Sequence, residues 1–537
     1  MSVKRTVILF SVILFSFLIL IFRIYDIVQN DSAIYTNRTS NSYKITIDTS
    51  RGIIYDRNLI PIVSNDKEYK VSVMPSIESK AYLHSVLDEP TFKKINSEFS
   101  KPFPFTFTTE NFIPETKDVN TFLVKRRYSE NQIAKHIVGY CDTSQSIGLS
   151  GIEKAYDSYL TSENSSLSIS YPIDATGRML SGLSPTISDD NYNSPYGIAL
   201  TIDSKIQKIA ESASKSLNGN GSALIMDVNN GDILASVSLP EFDPNNIAKS
   251  IESGDTSLIN RNLYAYNIGS TFKIIVSAAA LSKNLSPLSQ YTCNGSIKIG
   301  NTSFSCHKYE GHGVLNMETA FANSCNPYFV TLGQKIGKER LLSLSSAMGI
   351  GKPIKLCDGI VTAAGNIPST DELTSLGDLA NISFGQGSLM ATPVHIAKIT
   401  SIIANGGYNI EPNLVIGKVD KNGDIQNEKN SQQATKIIDI DTAKKIQKFM
   451  VTTIESGTGK NAKPTNLLAG GKTASAETGW KQNGEEIVQA WFSGFYPANS
   501  PKYAIVILCE GGNSGAASCA PIFKKICDSL YENGFCN

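Results

Sequence analysis

The 537-residue sequence predicts a mixed α/β protein of the α+β type. One membrane helix comes first, then a strand-rich membrane-proximal domain, then a larger domain built on one five-stranded sheet with helices on its faces. Three observations carry this. An apolar run of membrane-spanning length opens the chain. Residues 30 to about 190 are polar and strand-rich, with few helical periods. Beyond them, two early strand signals and three late ones bracket a helical middle, so segments distant in sequence must close a single sheet.

Lys4-Arg5 precedes Val7–Phe22, which is uncharged and interrupted only by Ser11 and Ser16. Arg23 can snorkel, extending the span to the roughly 17–25 residues a bilayer requires. Residues 6–25 are expected to be an uncleaved single-pass anchor, because Arg23–Gln29 contains no small-x-small cleavage site. Basic residues before the span place residues 1–5 in the cytoplasm and the body outside. With 41% hydrophobic and 18% charged residues the body is globular. Charge is balanced, 49 basic against 49 acidic, and no basic run marks a nucleic-acid surface.

In the membrane-proximal domain, residues 30–190, Lys44 to Tyr55 and Leu59 to Val73 alternate apolar and polar residues around Asp56-Arg57-Asn58, which predicts a hairpin. The Ser/Asn/Pro/Asp-rich stretch Ser181 to Pro195 is the expected linker. In the larger domain, residues 195–537, Leu200-Thr-Ile-Asp203 leads into a helix. Ser222–Met226 and Ile233–Val237 then read as strands about the turn Asn229-Asn-Gly231. Lys472–Glu477, Ala490–Tyr496 and Tyr503–Cys509 are the late strands, and a helix at Pro521–Tyr531 follows.

Three short motifs fall in order in this domain: Ser270-Thr-Phe-Lys273, Ser324-Cys-Asn326 and Lys472-Thr-Ala474. Singly each is weak, since Ser-x-x-Lys also occurs at Ser212 to Lys215 and Ser305 to Lys308. Context raises the first, because Ser270 opens the apolar run Ile274–Leu281. A three-residue spacing puts Ser270 and Lys273 on one helix face. Apolar surroundings lower the pKa of a lysine, and a neutral amine beside a hydroxyl is a base beside a nucleophile. The competing fate of Lys273 is a helix-end cation snorkelling to solvent. Ser324 and Asn326 lie in a polar turn between Leu315–Phe321 and Phe329–Ile336, where either could also cap a helix.

This ordered set is the one found in penicillin-binding proteins. With Arg51-Gly-Ile-Ile-Tyr-Asp-Arg-Asn58 and Gly148-Leu-Ser-Gly151-Ile-Glu-Lys-Ala-Tyr156, the chain resembles the class B members, which are peptidoglycan DD-transpeptidases. The resemblance covers nearly the whole chain, from Arg51 to the end. It implies a pedestal domain and a transpeptidase domain with a five-stranded antiparallel sheet. It also implies roles: Ser270 as nucleophile and Lys273 as its base, Ser324 as proton relay to the leaving amine, and Asn326 orienting the lysine and the substrate amide. Lys472 and Thr473 would hold the terminal carboxylate, and the N–H groups of Ser270 and Ser475 the oxyanion. Ser383-Phe-Gly385-Gln386-Gly387, followed by Thr392-Pro393, resembles a further cleft-lining segment. Ala474 departs from the family, which has Gly there; its extra methyl is expected to tighten the cleft. The implied partners are the stem pentapeptide, β-lactams, the membrane and a separate glycan polymerase, with no nucleic acid. Catalysis requires no cofactor. The alternatives are a DD-carboxypeptidase or β-lactamase-like hydrolase, a β-lactam sensor, and a catalytically idle scaffold in wall synthesis. The long pedestal speaks against a plain β-lactamase, and one span with five residues before it leaves no signalling domain.

Nine cysteines are many for an exported body. They read as buried reduced thiols, as disulfides (Cys509 with Cys519, for example), or as a metal site. For the last, Cys293 and Cys306 bracket a hairpin-like stretch, Gly295–Phe304, with His307 and His312 just after and Cys325 inside the Ser-Cys-Asn turn. Cys293, Cys306, His312 and Cys325 are the expected ligands of a structural Zn²⁺.

Overall fold

A computed structural model describes residues 3–30, 42–142, 146–161, 165–174, 180, 183–217, 219–427, 433–482 and 484–536. Among the described residues one helix, Val3–Asn30, is long and apolar enough to cross a membrane: its segment Lys4–Asp26 has a mean hydropathy of 2.8 and buries none of its surface in the protein.

The remainder forms two compact units that interleave along the chain. The smaller takes residues 42–50, 67–125 and most of 165–193 and carries two three-stranded sheets. Ser42–Thr49 pairs with Ser166–Pro172, which pairs with Thr186–Asp190. In the second sheet Asp66–Val73 lies between Phe105–Thr109 and Val119–Arg126. The expected hairpin about Asp56 is formed only at its tip, where Tyr55 bridges Pro61 in antiparallel fashion and the Ile62 N–H donates to the Ile54 carbonyl at 2.8 Å; the longer arms belong to different sheets. Asp56 closes the turn, its carboxylate accepting from the N–H groups of Asn58 at 2.8 Å and Ile60 at 2.9 Å. The expected linker also holds a strand, Thr186–Asp190, while residues 181–182 lie outside the described residues.

Residues 51–66 and 126–163 belong to the larger unit and are tied to each other by ions. Glu153, fully buried, bonds Arg51 at 2.6 Å and Arg127 at 2.7 Å. Burial alone would raise its pKa, but the two guanidiniums hold it below the ordinary carboxylate value. The Arg51–Asn58 and Gly148–Tyr156 signatures are thus structural. Removing one member would strand a buried charge, the costly way to break such a network.

The larger unit is built on β1 (Gly221–Asp227) and β2 (Ile233–Leu239), then a helical middle of α1 (Lys273–Ser282), α2 (Asn326–Ile336), α3 (Pro393–Ala404) and α4 (Ile440–Glu455). The sheet is completed by β3 (Gly470–Gln482), β4 (Glu485–Tyr496) and β5 (Tyr503–Glu510), and the chain ends on α5 (Ala520–Glu532). The order is β2-β1-β5-β4-β3, antiparallel throughout, so distant segments do close one sheet. Successive side chains of a strand point to opposite faces. Ala504, Val506 and Leu508 accordingly join the core with α1 and α3, while Ile505 and Ile507 join the one with α5. Burial on both faces explains the unbroken apolar run. In α1 every residue from Lys273 to Leu281 is buried. It is a core helix, and it carries one lysine into the interior.

Candidate active site

Ser270 sits, half-buried, in a tight helical turn, Gly269–Phe272, that runs straight into α1. The Ser383–Gly387 segment is pressed onto this turn. A Cβ on Gly385 (φ +90°) would lie 1.8 Å from the Gly269 carbonyl oxygen, so only glycine fits there. The Lys273 amine is fully buried. It donates to the Ser324 carbonyl at 2.8 Å, to Ser324 Oγ at 3.1 Å and to Asn326 Oδ1 at 2.6 Å, and lies 5.3 Å above the Phe329 ring. The snorkelling alternative is excluded.

Ser324 occupies the left-handed region at φ 52°, uncommon for a non-glycine residue and typical of functional turns. Neither Ser324 nor Asn326 caps a helix. The cap position of α2 falls on Cys325, whose side chain makes no capping bond. The strained turn instead aims Ser324 Oγ at both lysines, for Lys472 Nζ also donates to it, at 3.0 Å. A hydroxyl oxygen has two acceptor sites. With both taken, the Ser324 proton is left for a third group, such as an amine in the cleft.

Burial pulls the Lys273 pKa down to about 7. Burial, reinforced by Lys273, pushes Lys472 well below its ordinary value. The site thus holds two amines that are costly to charge and close enough to repel. Above the lysines lies an open cleft of about 790 Å³, walled by Ser270, Ser324, Asn326, Thr473 and Ser475. The structure therefore brings together the serines, the asparagine and both lysines of the three motifs. Thr458 and Ser514 were not legible as site residues. Thr458 Oγ1 pairs with Thr473 Oγ1 at 2.7 Å, and Ser514 reaches the cleft from a loop whose Gly515 N–H donates to Ser475 Oγ at 3.3 Å. Their only sequence signal is glycine, in Gly457-Thr-Gly459 and Gly511-Gly512-Asn-Ser-Gly515.

Ala474 lines the cleft, yet it is only 3% exposed and belongs to the core cluster with Phe272 and Trp491, so its methyl is packed against the protein at the cleft wall. Ala474→Gly is expected to lower stability by about 1–2 kcal/mol, through a lost buried methyl and a freer unfolded backbone. Acylation by a bulky cephalosporin should change less than about threefold. Thermal unfolding and stopped-flow acylation check the two halves.

Among the nine cysteines all are free thiols, so the Cys509–Cys519 pairing is not formed; the Cys519 thiol donates to the Ala490 carbonyl at 3.2 Å. Cys293, Cys306, His312 and Cys325 converge. One ligand atom from each lies within 4.8 Å of all the others. Ser296–Ile299 and Thr302–Ser305 form the expected hairpin that delivers Cys306, and Asn326 Nδ2 donates to the adjacent Ser305 carbonyl at 3.3 Å. His307 lines the catalytic cleft instead.

Residues 221–528 match the family described as penicillin binding protein transpeptidase domain, and residues 46–190 match the penicillin-binding protein dimerisation domain. The chain is 29% identical to stage V sporulation protein D of Bacillus subtilis, over 98% of this chain and 85% of that one. It is 25% identical to peptidoglycan D,D-transpeptidase MrdA of Salmonella typhimurium, over 98% and 96%. In fold it is similar to a chain of a peptidoglycan synthase complex, with a TM-score of 0.72, 22% identity and coverage of 99% and 98%. It is also similar to penicillin-binding protein PBP2 of Helicobacter pylori in complex with MreC, with a TM-score of 0.66, 23% identity and coverage of 92% and 100%. The transpeptidase match takes in more than half the chain and all three motifs, and the chain belongs to the penicillin-binding protein family, in its class B form.

Proposed function

We propose that this protein cross-links peptidoglycan as a serine DD-transpeptidase, with Ser270 as nucleophile and Lys273 as its base. The observation that carries the assignment is the convergence of two buried lysines on Ser324 Oγ beside Ser270. Neutral Lys273 takes the Ser270 proton as Oγ adds to the carbonyl of the penultimate D-Ala in a stem pentapeptide. The N–H groups of Ser270 and Ser475 receive the oxyanion, each such donor being worth about 10²–10³ in rate. The C–N bond breaks, and Ser324 delivers the proton to the departing D-Ala amine. An amine of a second stem peptide then attacks the ester and releases Ser270, which recovers its proton. Lys472, Thr473 and Ala474 flank the terminal carboxylate. Lys472, reluctant to charge in the free enzyme, gains its counter-ion when that carboxylate arrives. β-Lactams follow the same first step and stop at the acyl-enzyme.

The pH dependence of acylation tests the base. Because the active form is the neutral amine, the acylation rate should climb as pH rises through about 7 and level off above it. A rate that climbs only near pH 10, the range of an ordinary lysine, would remove Lys273 from the role.

We infer also that Cys293, Cys306, His312 and Cys325 hold a structural Zn²⁺. Three thiols and one imidazole are the ligand set of a closed tetrahedral site, in which sulfurs at about 2.3 Å from the metal stand about 3.8 Å apart. The present spacing needs only a small contraction. The ion takes no part in the reaction. Its ligand Cys325 separates Ser324 from Asn326, so it would pin the strained turn that aims both. The helix Val3–Asn30 serves as the single membrane anchor, with the catalytic body outside, and glycan strands are supplied by a separate polymerase.

A further inference from the structure

The geometry points to Thr458 as a positioning residue that turns the Thr473 hydroxyl toward the terminal carboxylate of the donor. The inference rests on the transpeptidase reading and deepens it, from the residue that meets the carboxylate to the one that aims it. Thr473 Oγ1 lies 2.7 Å from Thr458 Oγ1, and among the described residues it has no other hydrogen-bond partner. Both side chains line the cleft. Thr458 sits in Gly457-Thr-Gly459, just beyond α4, and its backbone fixes it there. Its N–H donates at 3.0 Å to the carbonyl of Ala322, which ends the helix Met317–Ala322 two residues before Ser324. Gly457 permits the approach, since a Cβ on it would lie 2.3 Å from that same oxygen. Thr458 thus joins the turn that carries Ser324 to the strand that carries Lys472 and Thr473.

Each hydroxyl has one proton to give. In one arrangement Thr473 donates to Thr458, and Thr458 donates to the Ala322 carbonyl, 3.3 Å away. Thr473 then offers the cleft only lone pairs, which repel a carboxylate. In the other arrangement Thr458 donates to Thr473, and the Thr473 proton is free for the cleft. The Ala322 carbonyl is not stranded by the switch, because it keeps the Thr458 N–H. An arriving carboxylate selects the second arrangement. The chain from Thr458 through Thr473 to the carboxylate then gains strength from polarisation along its length. Without the Thr458 hydroxyl, Thr473 loses the donor that polarises and orients it.

The test compares wild type with Thr458→Val, which keeps the branched shape and removes the hydroxyl, and with Thr458→Ser, which keeps the hydroxyl. Full-length protein in detergent is acylated by benzylpenicillin or by its methyl ester, in which the carboxylate charge is gone. Intact mass is the readout, followed over hours for the slower ester. Thr458→Val should slow the acid by about three- to tenfold, the worth of one hydrogen bond in a charged chain. The ester should slow by less than about twofold, so the preference for the acid shrinks. Thr458→Ser should recover most of the loss. With a peptide donor ending in D-Ala-D-Ala the loss should fall on KM and not on kcat, because the carboxylate is held alike before and during attack. No loss in Thr458→Val, or equal losses on acid and ester, would overturn the inference. So would a loss carried by kcat, or a Thr458→Ser variant as slow as Thr458→Val. A wild type that reacts with neither penicillin nor the peptide donor would instead bring down the transpeptidase reading itself.

Discussion

Lys273→Ala should slow acylation of Ser270 by penicillin about 10²- to 10⁴-fold, the range over which a positioned general base acts. The loss is kinetic before it is structural. Removing the amine leaves Asn326 Oδ1 and the Ser324 carbonyl without their donor, at about 1–3 kcal/mol. Lys273→Met fills most of the vacated volume and separates the two effects: it should fold and still fail to acylate. A second signature follows from the same burial. The folded state holds Lys273 at a pKa of about 7 while the unfolded chain holds it near 10.5, so between those values the unfolded state binds the extra proton. Stability contributed by this position therefore rises with pH from about 7 to 10.5 and is lowest below 7. In Lys273→Met that segment of the pH–stability curve should flatten. Denaturant midpoints measured across this range, beside stopped-flow acylation, check both.

Chelation gives the other large effect. If Cys293, Cys306, His312 and Cys325 hold zinc, protein purified without chelator carries close to one equivalent. Stripping it should lower the melting temperature by several degrees, because metal binding adds to folding free energy. Acylation should slow as well, since Cys325 fixes the turn on which Ser324 is held at a positive φ. Less than about 0.2 equivalents of zinc, with an unchanged melting temperature in EDTA, ends the metal reading.

The catalytic unit was largely legible in the sequence because its signals are local. Period-two strands about Asn229-Asn-Gly231, an apolar helix carrying Lys273, and motifs in fixed order each declare themselves within a dozen residues. The clustering of Cys293, Cys306, His312 and Cys325 was legible too, since a hairpin and a turn bring them together within 33 residues of chain. What failed was non-local pairing. The Lys44–Val73 alternation was a sound strand signal, yet the partners of its strands lie elsewhere: Ser42–Thr49 meets Ser166–Pro172, and Asp66–Val73 meets Phe105–Thr109. Asp56 does sit at a hairpin tip, but the pairing across it reaches only from Ile54 to Ile62. Ala474, placed at the cleft by its motif, does line it, but its packing against Phe272 and Trp491 depends on parity along β3 and on partners distant in sequence. Thr458 and Ser514 were missed because a lone hydroxyl in a glycine turn carries no periodic signal.

Intact-mass spectrometry of the soluble body after incubation with benzylpenicillin is the most direct measurement of the central claim. Wild type should gain the mass of one whole penicillin, because ring opening transfers the acyl group and expels nothing. Ser270→Ala should gain none while keeping its melting temperature, since one half-buried hydroxyl contributes little to the core. A penicilloyl adduct on Ser270→Ala, or an unlabelled wild type that is fully folded, would contradict the assignment of Ser270 as the nucleophile.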